Sequence, residues 1–336
     1  MTASADSPPA RPSALAAVLY AIAATGLGGL PIWMLSAFAP AIPADLGFDD
    51  THLGIVIALY FGLSAVTGLP LGRLMQRLGW RAGIAFSTAV VGLCLVLIAV
   101  MAQSWVLLAI SLCVGAVSNN SSQPASNLAL SLAVPQGRQG LAFGLKQAAL
   151  PISTFLVGLS VPLFGQGGMW REAFLVAAAL SLAMAVGVIA RSALAGARVL
   201  SSRRRRPSVE ARTGPRARTP HAPPARSLIL LSIGAGFGTA ATVSFGSFLV
   251  VFAVSEGFSA SAAATMLALG SLVGIASRVL FGYIADRRGR RHLVTVAYMM
   301  GSGCIGFLVL ALLGGSQWGL LLGTLLAYGL GWAWNG

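Results

Sequence analysis

Acidic residues are scarce in this chain: eight in 336, against 22 lysines and arginines. Charge of either sign makes up 9%, where an ordinary soluble domain carries about 25%. That shortage excludes a soluble globule. A folded domain leaves much of its surface in water, and 57% hydrophobic residues could not all be hidden. The three cysteines, Cys94, Cys113 and Cys304, lie inside apolar runs without C-x-x-C spacing. They read as small buried hydrophobes, not as metal ligands or a disulfide framework. The three histidines, His52, His221 and His292, fall in loops or at the ends of apolar runs. No metal and no cofactor is expected. Neither H-E-x-x-H nor G-x-S-x-G occurs, and no pair of aspartates lies within an apolar run, so an intramembrane enzyme is not expected either.

What is present is hydrocarbon-compatible sequence. Crossing ~30 Å of hydrocarbon takes about 20 apolar residues as a helix. Such runs lie at roughly 14–41, 52–72, 82–102, 105–132, 139–163, 170–190, 227–254, 260–284, 292–314 and 317–336. Helices satisfy every backbone group within a run, whereas barrel strands would be shorter and alternate in polarity. The polar, Pro-rich start "MTASADSPPARPSA" does not read as a signal peptide, because the apolar stretch behind it is too long for an h-region. The last run stops at "GWAWNG" with no flanking loop, as if the chain continued beyond it.

A net charge of +14 would suggest nucleic acid in a soluble protein. Here the arginines occupy the gaps between apolar runs, so membrane orientation explains them and no nucleic-acid partner is expected. With the N-terminus in the cytoplasm of a cell whose plasma membrane holds the chain, all but three of the 22 basic residues fall inside, as the positive-inside rule requires. The exceptions are Arg171, outside, and Lys146 and Arg278, within spans. Residues 192–226 are rich in arginine and proline. They cannot build a core, and a disordered cytoplasmic linker in contact with lipid headgroups is expected. The chain thus divides into a tail (1–13), a six-span half (14–191), the linker (192–226) and a second half (227–336) with about four spans.

The halves repeat. An offset of 210 residues lays Gly72, Arg77, Gly79 and Arg81 on Gly282, Arg287, Gly289 and Arg291, and brings the glycine-rich "TGLGGLP" to within one residue of "GAGFGTA". A parallel repeat of six-span halves is a transporter plan. The cassette "GYIADRRGRR" (282–291), with its looser copy "GRLMQRLGWR" (72–81), resembles the G-x-x-x-D-R-x-G-R-R loop of the major facilitator superfamily. Gly282, Asp286, Arg287, Gly289, Arg290 and Arg291 match fully. Gly72, Arg77, Gly79 and Arg81 match in part, beside Arg73 and with Gln76 where the acid would fall. "WREAF" at 170–174 is also similar to the family's usual start of the sixth span.

The resemblance covers about residues 14–336 and implies an all-α, polytopic transmembrane bundle of two pseudo-symmetric six-helix halves. Twelve spans would be expected, so the second half is incomplete in this chain by about two. It implies a monomeric secondary active or facilitative transporter that moves a small solute by alternating access. By analogy each cassette latches the other half and favours the outward-open state. Asp286 would accept hydrogen bonds at a neighbouring helix N-terminus, near Arg138 and Gly140, while the uncharged Gln76 makes a weaker latch. The alternative is that both loops only enforce topology. Arg278, one turn before Gly282, can snorkel to the cytoplasmic surface and is grouped with this gate.

In that fold the substrate cavity lies between the halves near mid-membrane, where polar residues are costly unless used. Candidate contacts are Asn119, Asn120, Gln123 and Asn127 in "SNNSSQPASN", and Lys146 and Gln147 in "GLKQAALP". Antiparallel pairing about a turn near residue 136 sets Lys146 level with Asn127, and Leu150 level with Gln123. The alternative is that the amides only join helices. Ser111, where the family's proton-coupled drug exporters have arginine, weighs against drug efflux; Gly68, which pairs with Arg278 under the repeat, weighs against the nitrate-porter variant. An unpaired lysine favours an organic anion. A neutral or cationic solute, drug efflux, or a non-transporting receptor or scaffold on the same fold are the alternatives.

Overall fold

The computed structural model describes residues 14–165, 168–200, 225–288 and 292–335. Gly289, Arg290 and Arg291 of the second cassette, and 201–224 of the linker, lie outside the described residues. Among the described residues there are helices and no strand.

The first apolar run is a bent pair, α1 (Ala14–Gly28) and α2 (Leu30–Ala37), set at 46°. The break follows from "GGLP": glycines are poor helix formers, and Pro31 supplies no N–H and crowds the carbonyl of Leu27. A short α3 (Ala41–Leu46) ends on left-handed Gly47. Then α4 (Asp50–Met101) runs for 52 residues, interrupted only at Gly79 with φ 80° and ψ 164°. Side chains other than glycine rarely adopt that backbone geometry. The break divides α4 into two stretches, each longer than the about 20 residues that a crossing requires. The first cassette is therefore helical through Leu78, and only Gly79 turns the chain.

Asp49 caps α4. Its carboxylate accepts from the backbone N–H of His52 at 3.0 Å and pairs with the ring Nδ1 at 2.6 Å. These bonds, the backbone one first, hold the carboxyl below its usual range.

The first half continues with α5 (Trp105–Ala133), α6 (Gln139–Phe164) and α7 (Trp170–Leu200). The last corrects the linker boundary. The stretch "SALAGARVL" (192–200) was expected to be disordered and is helical, because alanine, leucine and arginine favour helix and no proline occurs before Pro207. At the start of α7, "WREAF" forms a clamp. Trp170 Nε1 and an Arg171 nitrogen donate to one Asp45 oxygen at 3.2 and 3.0 Å. Arg171 also donates to the carbonyls of Ala99 and Ala102, so one arginine ties together α3, the end of α4 and α7.

The second half holds α8 (Ala225–Ser255), α9 (Ala260–Arg288), α10 (His292–Leu313) and α11 (Gln317–Thr324). The chain then passes through a π-turn at Leu325–Leu330 and a 3-10 turn at Ala333–Asn335. Seven helices among the described residues are long and apolar enough to cross a membrane, and the α1–α2 pair makes an eighth.

The halves meet along α6 and α9. A Cβ on Gly140 would lie 2.9 Å from the Gly282 carbonyl, one on Gly144 2.6 Å from the Arg278 carbonyl, and one on Gly158 2.9 Å from the Ala264 carbonyl. Glycine at these positions lets two backbones approach as small-residue membrane interfaces do. Between these crossings the Thr154 and Ser271 hydroxyls bond at 2.6 Å, and Tyr328 donates to Thr154 at 3.1 Å.

Candidate functional site

Lys146 is buried, 1% exposed, on the face of α6 that meets α5. Its Nζ donates to Gln123 Oε1 and, at 3.0 Å, to Asn127 Oδ1. Gln123 and Asn127 are four residues apart, stacked one above the other on one face of α5, so the ammonium bridges a single turn. The expected pairing of Lys146 with Asn127 is found, while Gln123, expected level with Leu150, also reaches Lys146. Neither helix contains an acidic residue, and an ammonium has three N–H groups to place.

The other amides divide. Asn120 faces α4, donating to the Ser64 carbonyl at 2.6 Å and to Thr67 Oγ1 at 2.9 Å. It joins α5 to α4 and makes no bond to Lys146. Asn119 is half-buried and makes no side-chain hydrogen bond among the described residues. Gln147 is half-buried on α6, next to Lys146. Serines on the remaining α5 face lock α1 in place: Ser126 bonds with Thr25 and donates to the Ala21 carbonyl, and Ser118 donates to that of Gly28.

Arg278 does not snorkel. It is 1% exposed, and its guanidinium donates to the carbonyls of Gly274 at 3.1 Å and Trp332 at 2.8 Å. It also lies over the Trp332 ring, 5.0 Å from the centroid. A carbonyl and an aromatic face in the interior outcompete the headgroups here. The residue lies inside the bundle, beside Trp332.

Within the second cassette, Asp286 is seated on the first turn of α6. One carboxylate oxygen accepts from the Gly140 N–H at 2.8 Å, the other from the Leu141 N–H at 2.7 Å. Those N–H groups lack partners within their own helix, and the helix dipole favours an anion there. A Cβ on Gly140 would come within 2.9 Å of the carboxylate carbon, so glycine is needed for the contact. Gly282 packs against the same turn, and Arg287 lies over Tyr283 at 4.4 Å. In the first cassette Arg73, Gln76, Arg77 and Arg81 are exposed and Gly72 is half-buried. Gln76 makes no hydrogen bond among the described residues, and Arg81 rests on Trp80.

Sequence reasoning missed the aromatic centre. Trp33 of α2 meets Trp332 edge-on at 5.4 Å, and Tyr328 meets Trp332 at 5.1 Å. Gly246 of α8 lets Tyr328 and Trp33 approach. The available clue was aromatics set among glycines in "GGLPIW" and "AYGLGWAW".

Long apolar helices, with Lys146 buried in the first half and Arg278 in the second, define a polytopic membrane protein. The family model of the Major Facilitator Superfamily matches residues 21–336, nearly the whole chain, and the protein belongs to that family. It is an integral membrane transporter. Comparison with curated proteins finds no match.

Proposed function

We propose that this transporter moves a small organic anion across the cytoplasmic membrane by alternating access, with Lys146 as the substrate contact. The observation that carries the reading is a buried ammonium held by two amide oxygens, in a pair of helices without a carboxylate. A charge inside a span is expensive, and a bound anion supplies the missing countercharge. Gln123 and Asn127 orient the ammonium, and Gln147 lies near enough in sequence to contribute. Asp286 on the α6 N-terminus acts as the latch that holds the arginine-bearing ends of the halves together.

Uptake into proteoliposomes tests the reading. Radiolabelled carboxylic acids should accumulate, while amines and sugars of similar size should not. Flux of amines or sugars alone would overturn the anion assignment, and saturable binding without any flux would favour a receptor on the same fold.

The orientation reading places the N-terminus and the linker in the cytoplasm, because nearly all the arginines lie on one side of the spans. Cysteines introduced at 45–50 should react with an impermeant maleimide on intact cells, and cysteines at 203–206 only after permeabilisation. The reverse pattern would invert the topology and move the Asp286 latch to the outer face.

A further inference from the structure

The repeat that relates the halves has one corner filled and its counterpart open. In the first half, Trp170 and Arg171 at the start of α7 enter between α3 and the end of α4. Both donate to Asp45, and Arg171 also donates to the carbonyls of Ala99 and Ala102. Trp170 is fully buried. Further along α7, Leu182 packs on α4, where a Cβ on Gly92 would lie 2.6 Å from it.

The second half reproduces this corner. Gly47 and Gly257, 210 residues apart, both turn the chain with positive φ, 68° and 90°. Two residues on, Asp49 and Ser259 each cap a helix by accepting from the N–H three residues later, those of His52 and Ala262. At the end of α10 the offset is 212. A Cβ on Gly115 would meet Cys94 Sγ at 2.9 Å, and one on Gly306 would meet Ala327 Cβ at the same distance. Ala99 and Ala102 therefore correspond to Ala311 and Gly314, and Gly92 to Cys304. In place of an indole and a guanidinium, this corner holds a cavity of about 460 Å³, lined by Phe245, Phe252, Phe307, Ala311 and Gly314 with Glu256 beside them. A Cβ on Gly315 would lie 2.9 Å from a Glu256 oxygen, so the carboxylate stands over the α10–α11 turn, one residue on from the Asp45 position. It makes no ion pair among the described residues. Cys304 is exposed.

We propose that this cavity is a socket for the first turn of a membrane helix bearing an aromatic residue followed by arginine. The ring enters among Phe245, Phe252 and Phe307. The guanidinium pairs with Glu256 and turns its other N–H groups to the backbone at Ala311 and Gly314, as Arg171 does at Ala99 and Ala102. The last four carbonyls of a helix have no partner within it, so the end of α10 offers acceptors beside the charge, and a five-donor fork can use both. Acyl chains would cover the phenylalanines and give Glu256 nothing. A helix docked in this way runs along α10 and covers Cys304. The socket does not depend on the anion reading.

The test uses the full chain in nanodiscs and a fluorescent synthetic peptide of residues 168–191, shown to be helical in the disc by circular dichroism. The peptide should bind saturably. Arg171→Gln in the peptide and Glu256→Gln in the protein should each weaken binding about fivefold, the upper end of what an exposed ion pair supplies. Both together should weaken it no further, because they remove the same contact. Glu256→Arg should restore binding of a peptide carrying Arg171→Glu. Under mild oxidation a peptide with Leu182→Cys should form a disulfide with Cys304, whereas one with Leu180→Cys, a position 63% exposed on α7, should not. Absence of saturable binding overturns the proposal. So does binding indifferent to Glu256, which would make the cavity a lipid-filled groove. Binding weakened by Asp45→Asn without the Cys304 disulfide would mean that the peptide displaces α7 from the first half, and would overturn it as well.

Discussion

Lys146→Ala should raise the dissociation constant for a carboxylate substrate by at least roughly 30-fold and stop uptake. Removing one partner of a buried, hydrogen-bonded charge pair costs about 2–5 kcal/mol, and each 1.4 kcal/mol is about tenfold in affinity. Lys146 is 1% exposed and its ammonium is bonded to Gln123 and Asn127, so water screens it little. Lys146→Arg should retain part of the binding with altered selectivity, because a planar fork replaces a compact point charge beside two amides that fit the ammonium. A purely structural role for Lys146 makes a different forecast. If the lysine only joined α5 to α6, the alanine variant would melt at a lower temperature yet bind as before. Asn120→Ala supplies the converse control: its amide faces Ser64 and Thr67 of α4, so stability should fall by about 1 kcal/mol with affinity unchanged. Wild-type uptake by Lys146→Ala would end the anion-site reading.

The span pattern was legible because apolar runs of span length and arginine-rich gaps leave few alternatives in lipid. The register that brings Lys146 to Asn127 was legible too, since a short turn between antiparallel helices fixes it, although Gln123 meets Lys146 and not Leu150. Arg278 was not. Distance to the surface suggested snorkelling, but the outcome depended on the carbonyl and ring of Trp332, 54 residues away in the chain. The α4 partners of Asn120 were not legible for a related reason. Sequence places an amide at a depth in the membrane, and the direction it faces depends on which helix packs beside it. The helical extension of α7 to Leu200 shows that a linker's composition averages over a stretch, whereas the helix responds to its local residues.

Asp286→Asn should shift the conformational balance toward the state open at the arginine-bearing end by roughly 30-fold, and slow transport. The carboxylate accepts two N–H bonds from the first turn of α6, at 2.8 and 2.7 Å. An asparagine can accept one of them, but its NH₂ group then faces the other donor. Hydrogen bonds to a charged group are worth about 1.5–3 kcal/mol each, and the helix N-terminus favours the negative charge by up to about 1 kcal/mol more at an exposed site. Losing about 2 kcal/mol from the closed state alone changes the ratio of states by roughly 30-fold. Gln76→Ala should have little effect, because Gln76 is exposed and bonds to nothing among the described residues. Spin labels at the exposed positions 138 and 287 would report the change as a longer distance population in Asp286→Asn. Gly140→Ala offers a second route to the same result: its methyl group would lie 2.5 Å from an Asp286 oxygen and force the contact apart with the charge intact. If both variants keep the wild-type distance distribution and transport rate, the Asp286 contact is packing that follows from topology and does not gate the transporter.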